Sequence, residues 1–367
     1  MSISRGTLPQ EFFDTTSAMM LIAPQPQFFY AAMWMQAVNA SLNMQAQAAN
    51  GFSLFGRSPV GVTGAPVNSF EQNQLLLEPD PILSGFLRAE TELGKKPGHV
   101  LRMNRPIFAS TTYTQASREV GANVEISTTS IGVNSSQASL TLRRFAGPYD
   151  AANSRIAPIG VDAFDSTLAL HKTAQLVGMH MHQDRMKFVD TVIATLLDNA
   201  SSTVRPQGFS ADNDSVEQGD APMDLYCHDL AAKTLDEANV PLGPDGKRIM
   251  VLHPSQIMQL QSDPRFQRLA RELPPLNPLL AKSYRYTTSH FHIFQSTSLR
   301  TTTNSSSKTI YKGHAFGPQA LGVGVGMLPE IRQSTSDNYG EQAKVIWVSY
   351  EAFDMLDASF GCVIRTS

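Results

Sequence analysis

The chain has 367 residues, 42% hydrophobic and 17% charged, with 29 basic and 32 acidic residues for a formal net charge of −3. The composition excludes wholesale disorder, and the lack of a basic excess argues against a dedicated nucleic-acid binder, whose affinity rests on clustered Lys and Arg. A surface poor in charge and rich in Ser, Thr, Asn and Gln can be covered by other subunits at small desolvation cost.

Residues 1–97 read as a long, loosely patterned arm with too little repeated core pattern to fold alone. Within it a helix is predicted over 28–49, where Met33, Trp34, Ala37, Val38 and Leu42 recur at helical spacing. Its other face carries Gln36, Asn39, Gln45 and Gln47, uncharged polar residues suited to an interface. Gly56, Pro59, Gly61, Gly64 and Pro66 exclude regular structure over 50–68. Residues 100–103, 107–113, 124–133 and 138–142 are β-prone, and 115–122 between them is polar. The simplest arrangement is a long two-stranded ribbon with a charged tip, which is marginal alone and needs another surface to lie on.

An unusually long helix is predicted over 165–200, with Asp165, Ser166 or Thr167 as its N-cap. Met186, Val189, Ile193, Leu196 and Leu197 give it an apolar face. After a polar loop at 201–220, a helix is expected at 223–239, a Gly/Pro-rich turn at 241–247 and a short buried strand at 248–253. A helix with Pro254 at its start is expected over 254–272. From 284 the pattern is strand-like, through 291–294, 309–316, 321–325 and 344–350 to a last strand or turn at 355–365.

The residue types that carry chemistry do not assemble a site. Cys227 and Cys362 have no CxxC or zinc spacing and read as free thiols. His180 and His182 fall inside the long helix, where positions i and i+2 diverge by about 200° and cannot share a metal. His290 and His292 could meet on a strand, but no neighbouring carboxylate or third ligand accompanies them in sequence. Gly322, Gly324 and Gly326 superficially suggest a dinucleotide fingerprint. Met327, Leu328 and Pro329 follow where a helix N-terminus is needed, so close backbone packing or a bend in a strand is the better reading. Helix capping and solvation explain the paired carboxylates Asp162 and Asp165, and Asp354 and Asp357. No GxSxG, GxxxxGK[ST] or HExxH motif occurs, so no catalytic, metal or cofactor-binding residue is expected. Pro9, Glu11 and Asp14 interrupt any secretory core. No stretch approaches the ~20 apolar residues of a membrane span, and the expectation is a soluble protein made in the cytosol.

The order of these elements is specific. Leu235-Asp236-Glu237-Ala238-Asn239-Val240-Pro241, then Gly246-Lys247-Arg248-Ile249-Met250-Val251-Leu252-His253-Pro254, resembles the passage that opens the axial domain in tailed-bacteriophage major capsid proteins. Asp263-Pro264-Arg265-Phe266 resembles a common continuation, and 160–202 is similar to the spine helix with its lead-in. The resemblance spans 95–367 in outline and the arm by position. It implies an α+β chain with the fold named after phage Hong Kong 97. The N-terminal arm would be 1–97, and the extended β-ribbon loop, lying over a neighbouring subunit, 98–145. A peripheral domain with the spine helix would be 146–222, an α/β axial domain 223–326, and peripheral return strands 327–367.

The resemblance further implies a structural subunit, not an enzyme, that self-assembles into hexamers and pentamers of an icosahedral phage head. That head would enclose double-stranded DNA without sequence-specific binding. Implied partners are other copies and scaffolding, portal and decoration or cement proteins, with no membrane and no cofactor. The implied location is the virion capsid, after synthesis in the host bacterial cytoplasm. Some members weld the shell through a loop lysine; no lysine lies between Lys96 and Lys172, so a non-covalent shell is expected. Arg105, Arg118, Arg143 and Arg144 are candidate partners for neighbouring carboxylates, with Glu119, Glu125 and Trp34 as further interface candidates. Two alternatives stay open: a cargo-enclosing bacterial shell of the same fold, and a metal-dependent enzyme using His290 and His292.

Overall fold

The computed structural model describes residues 29–49, 86–92, 94–106, 135–150, 152–206, 222–266, 284–303, 307, 309–333 and 342–367. The first half contains α1 (Phe29–Ala49), β1 (Leu87–Thr91), β2 (Val100–Pro106), β3 (Ser135–Thr141), β4 (Arg143–Gly147), β5 (Tyr149–Asp150), β6 (Arg155–Ile156), β7 (Ile159–Asp162) and α2 (Ala163–Leu197). Then come β8 (Ser202–Val204), α3 (Leu225–Glu237), β9 (Arg248–Leu252), α4 (Pro254–Ser262), β10 (Tyr284–Thr287), β11 (Phe291–Gln295) and β12 (Thr301–Thr303). The chain finishes with β13 (Thr309–Phe316), β14 (Leu321–Gln333), β15 (Gln342–Met355) and β16 (Gly361–Thr366).

Two sheets organise these elements. The five-stranded sheet has the order β1-β14-β15-β4, with β7 also on β15. Only β1 runs parallel to its neighbour. The seven-stranded sheet has the order β10-β11-β9-β13-β16-β8, with β12 on β13. Its β11–β9 and β16–β8 pairs are parallel. One hydrophobic core runs through both halves, joining Met186, Val189 and Ile193 of α2, Val323 and Val325 of β14, and Ile249 to Leu252 of β9. A parallel pair covered on both faces should be apolar along its whole length, and β9 is buried at all five positions.

The local chemistry of the α3–β9–α4 passage explains its sequence pattern. Asp224 caps α3 by accepting from the Cys227 N–H (2.9 Å), and the helix ends as Asn239 turns to a positive φ of 53°, a conformation Asn tolerates. Arg248 then ties the turn together, donating to Asp236 Oδ1 (2.6 Å) and to the Val240 carbonyl (2.7 Å). His253 and Gln256 form a capping box at the start of α4, with Pro254 in the first turn.

Several boundaries differ from expectation. The helix predicted over 254–272 is interrupted at Asp263, which is extended at φ −71° and ψ 118° because Pro264 disfavours a helical residue before it; 264–266 are helical again, and 267–272 lie outside the described residues. The strand predicted over 321–325 continues to Gln333, with Pro329 falling in the register shift between Met327 and Glu330, where the ladder can spare its missing N–H. The long helix starts at Ala163, so Asp165, Ser166 and Thr167 lie inside its first turns and not at its cap. The expected domain limit at 326/327 falls within β14, and 202–204 and 361–366 join the seven-stranded sheet. Strand pairing at long sequence separation decides that division, and periodicity carries no information about it.

The described part of the arm, read as unable to fold alone, draws its burial from its own chain. Phe29, Tyr30, Ala31, Met33, Trp34, Ala37 and Val38 of α1 sit in the main core, and β1 completes the five-stranded sheet. The predicted strands at 107–113 and 124–133, and the side chains of Gln36, Asn39, Gln45 and Gln47, lie outside the described residues.

Candidate assembly surface

The interior holds polar groups that lock elements together. Asp190 of α2 accepts from the N–H groups of Tyr30 (2.7 Å) and Ala31 (3.2 Å), placing a carboxylate at the positive end of α1. Burial pushes the Asp190 carboxyl up to about 6. Eight residues further on, just past the end of α2, Asp198 faces His314. The His314 imidazole lies below its ordinary pKa because it is buried. The neutral ring therefore accepts the Tyr30 hydroxyl at Nδ1 (2.6 Å) and donates from Nε2 to Asp198 Oδ1 (3.0 Å). Burial acts to raise the Asp198 carboxyl, but His314 and Lys312 outweigh it and hold the group low.

A second buried pair joins α2 to β15. Arg185 and Glu351 form an ion pair, each almost wholly excluded from solvent. The Arg185 guanidinium lies over the rings of Trp34 (4.8 Å) and Trp347 (5.3 Å). Trp34 is thus not on a subunit surface: it is 5% exposed and belongs to the interior of its own chain. The spacing that marked its face of the helix as apolar was itself a core signal.

The side chains weighed for catalysis do not converge. His290 is exposed in the turn before β11, whereas His292 is buried and bonded to Thr287 (3.2 Å) and Asp245 (2.5 Å). His180 is exposed and His182 buried. No group of three or more His, Cys, Asp or Glu is arranged to hold a metal among the described residues. Cys227 and Cys362 are free and buried, and burial raises both thiols, Cys362 to about 12, so neither is poised as a nucleophile. Asp357 caps the short turn at Ala358–Phe360, accepting from the Ser359 N–H (3.0 Å).

The outward surface has a different character. β2 and β3 form a ribbon paired from Val100↔Thr141 to Pro106↔Ser135. Alternation of side chains along a strand gives it two faces. Leu101, Met103 and Leu140, followed by Leu142, are buried with Ala352, and the half-buried Leu356 packs against them. Val100, Arg102, Gln137, Ser139 and Thr141 are exposed on the other face. The ribbon's root is tied down by Gly98 N–H to Leu142 O (2.8 Å) and Leu142 N–H to His99 O (2.9 Å). Arg143 and Arg144 follow at the start of β4, both exposed and without an ion pair among the described residues. Arg105 occupies the ribbon position opposite Ser136; its side chain, and all of Arg118, Glu119 and Glu125, lie outside the described residues.

Sequence reasoning missed the apolar side chains on this surface. Tyr149 and Ile156 face each other across the β5–β6 hairpin and are 57% and 52% exposed. Leu176 and Met179 project from the first half of α2. Leu176 was findable, since it shares one helical stripe with the polar Gln183 and Lys187. Residues in so short a hairpin leave no periodic signal. These side chains offer partly apolar contact area beside the exposed Arg102, Arg143 and Arg144.

No family model matches the chain, and no curated protein matches it in sequence. Solved structures do resemble it in shape. The capsid of Ralstonia phage GP4 is 13% identical, with a TM-score of 0.54 over 86% of this chain and 94% of that one. The capsid asymmetric unit of cyanophage Pam1 is 10% identical, with a TM-score of 0.53 over 77% and 88%. The acid-stable capsid of Helicobacter pylori bacteriophage KHP30 is 11% identical, with a TM-score of 0.50 over 84% and 100%. The sheets, the long helix and the ribbon described above therefore make up the major capsid protein fold of tailed phages.

Proposed function

We propose that this chain is a structural, non-enzymatic capsid subunit that associates with copies of itself into a shell. The observation that carries the reading is the fold shared with the Ralstonia phage GP4 capsid over nearly the whole of both chains. The exposed ribbon face and the uncovered Tyr149, Ile156, Leu176 and Met179 support it, because such surface gains by burial against a neighbour. In the finer reading the subunits form hexamers and pentamers of an icosahedral phage head enclosing double-stranded DNA. The ribbon lies over the adjacent subunit, and Arg143 and Arg144 meet its carboxylates, a role shared by Arg105, Arg118, Glu119 and Glu125. The five-stranded sheet with α2 serves as the peripheral domain, and the seven-stranded sheet with α3 and α4 as the axial domain. A slightly acidic chain suits a shell that must release its genome. No helix among the described residues is long and apolar enough to cross a membrane.

Light scattering and negative-stain microscopy of the purified chain test the proposal: closed particles are expected, and a stable monomer at high concentration overturns it. Nuclease-protected DNA in particles from the producing host supports the phage-head reading, whereas a protein cargo without DNA points to the enclosing shell. A single monomer band from mature particles on a denaturing gel is expected, and a ladder contradicts the non-covalent shell. Replacing the exposed His290 by alanine should leave particles intact.

A further inference from the structure

β14 is a two-faced strand. Val323 and Val325 point into the main core, while Gly322, Gly324 and Gly326 alternate with them and lie beneath the ribbon. A Cβ at Gly324 would stand 2.5 Å from Leu101 Cδ1, and one at Gly326 would stand 2.9 Å from Leu142 Cδ1. At Gly322 it would meet Leu356 Cδ2 at 2.7 Å and Met103 Sδ at 3.1 Å. Each glycine thus receives a leucine or methionine of the cluster that fills the space under β2 and β3. Glycine weakens a strand interior because it has no side chain to pack and loses most conformational freedom. Three on one face of one strand make sense where overlying side chains, and at Gly326 also the Lys95 carbonyl oxygen (2.9 Å), come closer than a Cβ allows.

A second, separate set of bonds holds the same ribbon. Glu92 N–H donates to Val325 O (3.1 Å) and Gly94 N–H to Gly326 O (2.9 Å), so the segment leading into β2 is fixed to the end of the glycine row. The ribbon is thus held both at its root and over the glycine row, against which Leu101 and Leu142 lie. We propose that Gly322, Gly324 and Gly326 are positioning residues for assembly: they form a seat that fixes the angle at which the ribbon leaves the subunit, and hence where it reaches a second copy of this chain. The proposal rests on the capsid reading for its consequence, but the seat itself is a property of the single chain.

The test is a size-swap cycle in the full chain, with Gly324→Ala, Leu101→Ala and the double variant. Two readouts are taken: amide hydrogen exchange over 100–103 and 138–141, and particle yield with diameter. Gly324→Ala should speed exchange in the ribbon by about tenfold or more while leaving β9 and β11 protected, since only the ribbon is lifted. It should also lose most particle yield or produce particles of altered diameter. The double variant should restore ribbon protection and assembly above either single variant, because the added methyl then occupies the space the leucine vacates. Unchanged exchange in Gly324→Ala, or no recovery in the double variant, overturns the seat. If Gly324→Ala fails to fold, Leu101→Phe presses on the seat from the ribbon side and must reproduce the loss. If the wild type forms no particles, the shell reading falls while the exchange data still decide the seat.

Discussion

The two sheets bury themselves in different ways. In the seven-stranded sheet, β9 is covered at every position and β11 at four of five. The helices beside it close their own ends, through Asp224 for α3 and the His253–Gln256 box for α4. In the five-stranded sheet, β14 and β15 run 13 and 14 residues, with one face in the core and the other beneath a ribbon. That half also carries an ion pair in its interior and exposes Val100, Tyr149, Ile156, Leu176 and Met179 around it. The seven-stranded half exposes Tyr226, Leu242 and Met258, but these come from separate helices and a turn. One half is finished by its own sequence. The other presents apolar area that a neighbour can cover, and the proposed shell would make its contacts on that less self-sufficient half.

The largest single effect should come from that half. Glu351→Ala leaves the Arg185 charge buried under two indoles and should cost about 3–5 kcal/mol in urea unfolding, with partial recovery on adding Arg185→Met. Phe294→Ala challenges the other sheet, where the ring packs 4.4 Å from that of Phe29, and should cost about 3–4 kcal/mol. Because the main core spans both halves, both variants should lower one shared transition. Two separate transitions in either would mean that the halves are independent domains.

Next in size is a pH effect at the seam between them. The folded Asp190 carboxyl, at about 6 against an ordinary 3.8, holds an extra proton between those values. Wild-type stability relative to Asp190→Asn should therefore rise as pH falls from 7 to 4, by about 2–3 kcal/mol at most. His314 works with the opposite sign: burial lowers its pKa, so its contribution is lost as pH falls through its ordinary range, equally in both variants. A flat difference in Tm between the two proteins across pH 7 to 4 would show that Asp190 is not sealed from water. The smallest effect is at a helix end. Asp224→Ala removes the α3 cap and should cost about 1 kcal/mol by thermal unfolding, without changing ribbon exchange.

Much of this was legible along the chain. The long helix, the α1 helix and the β9 strand stood out because their apolar residues repeat with one period over several turns or fill a short strand outright. The ribbon was legible from the β-prone residues at 100–103 and 138–142, and the glycines of β14 from close packing in a strand, though their partners could not be named. What escaped depended on partners far away in sequence. Nothing around Asp190 reveals that it caps a helix 160 residues earlier, and nothing at Trp34 tells a core indole from an interface one. The exposed Tyr149 and Ile156 sit in strands of two residues each, too short for any period to register.

Local rules acting within a few residues were enough to specify most of the segments that became helix or strand and the proline that opens α4. The division into two sheets, the pairing of 202–204 with 361–366 and the seating of the ribbon on three glycines arose only on folding. Strand partnership and close approach are set by which distant surfaces fit together, and fit is a property of three-dimensional packing with no counterpart in sequence spacing.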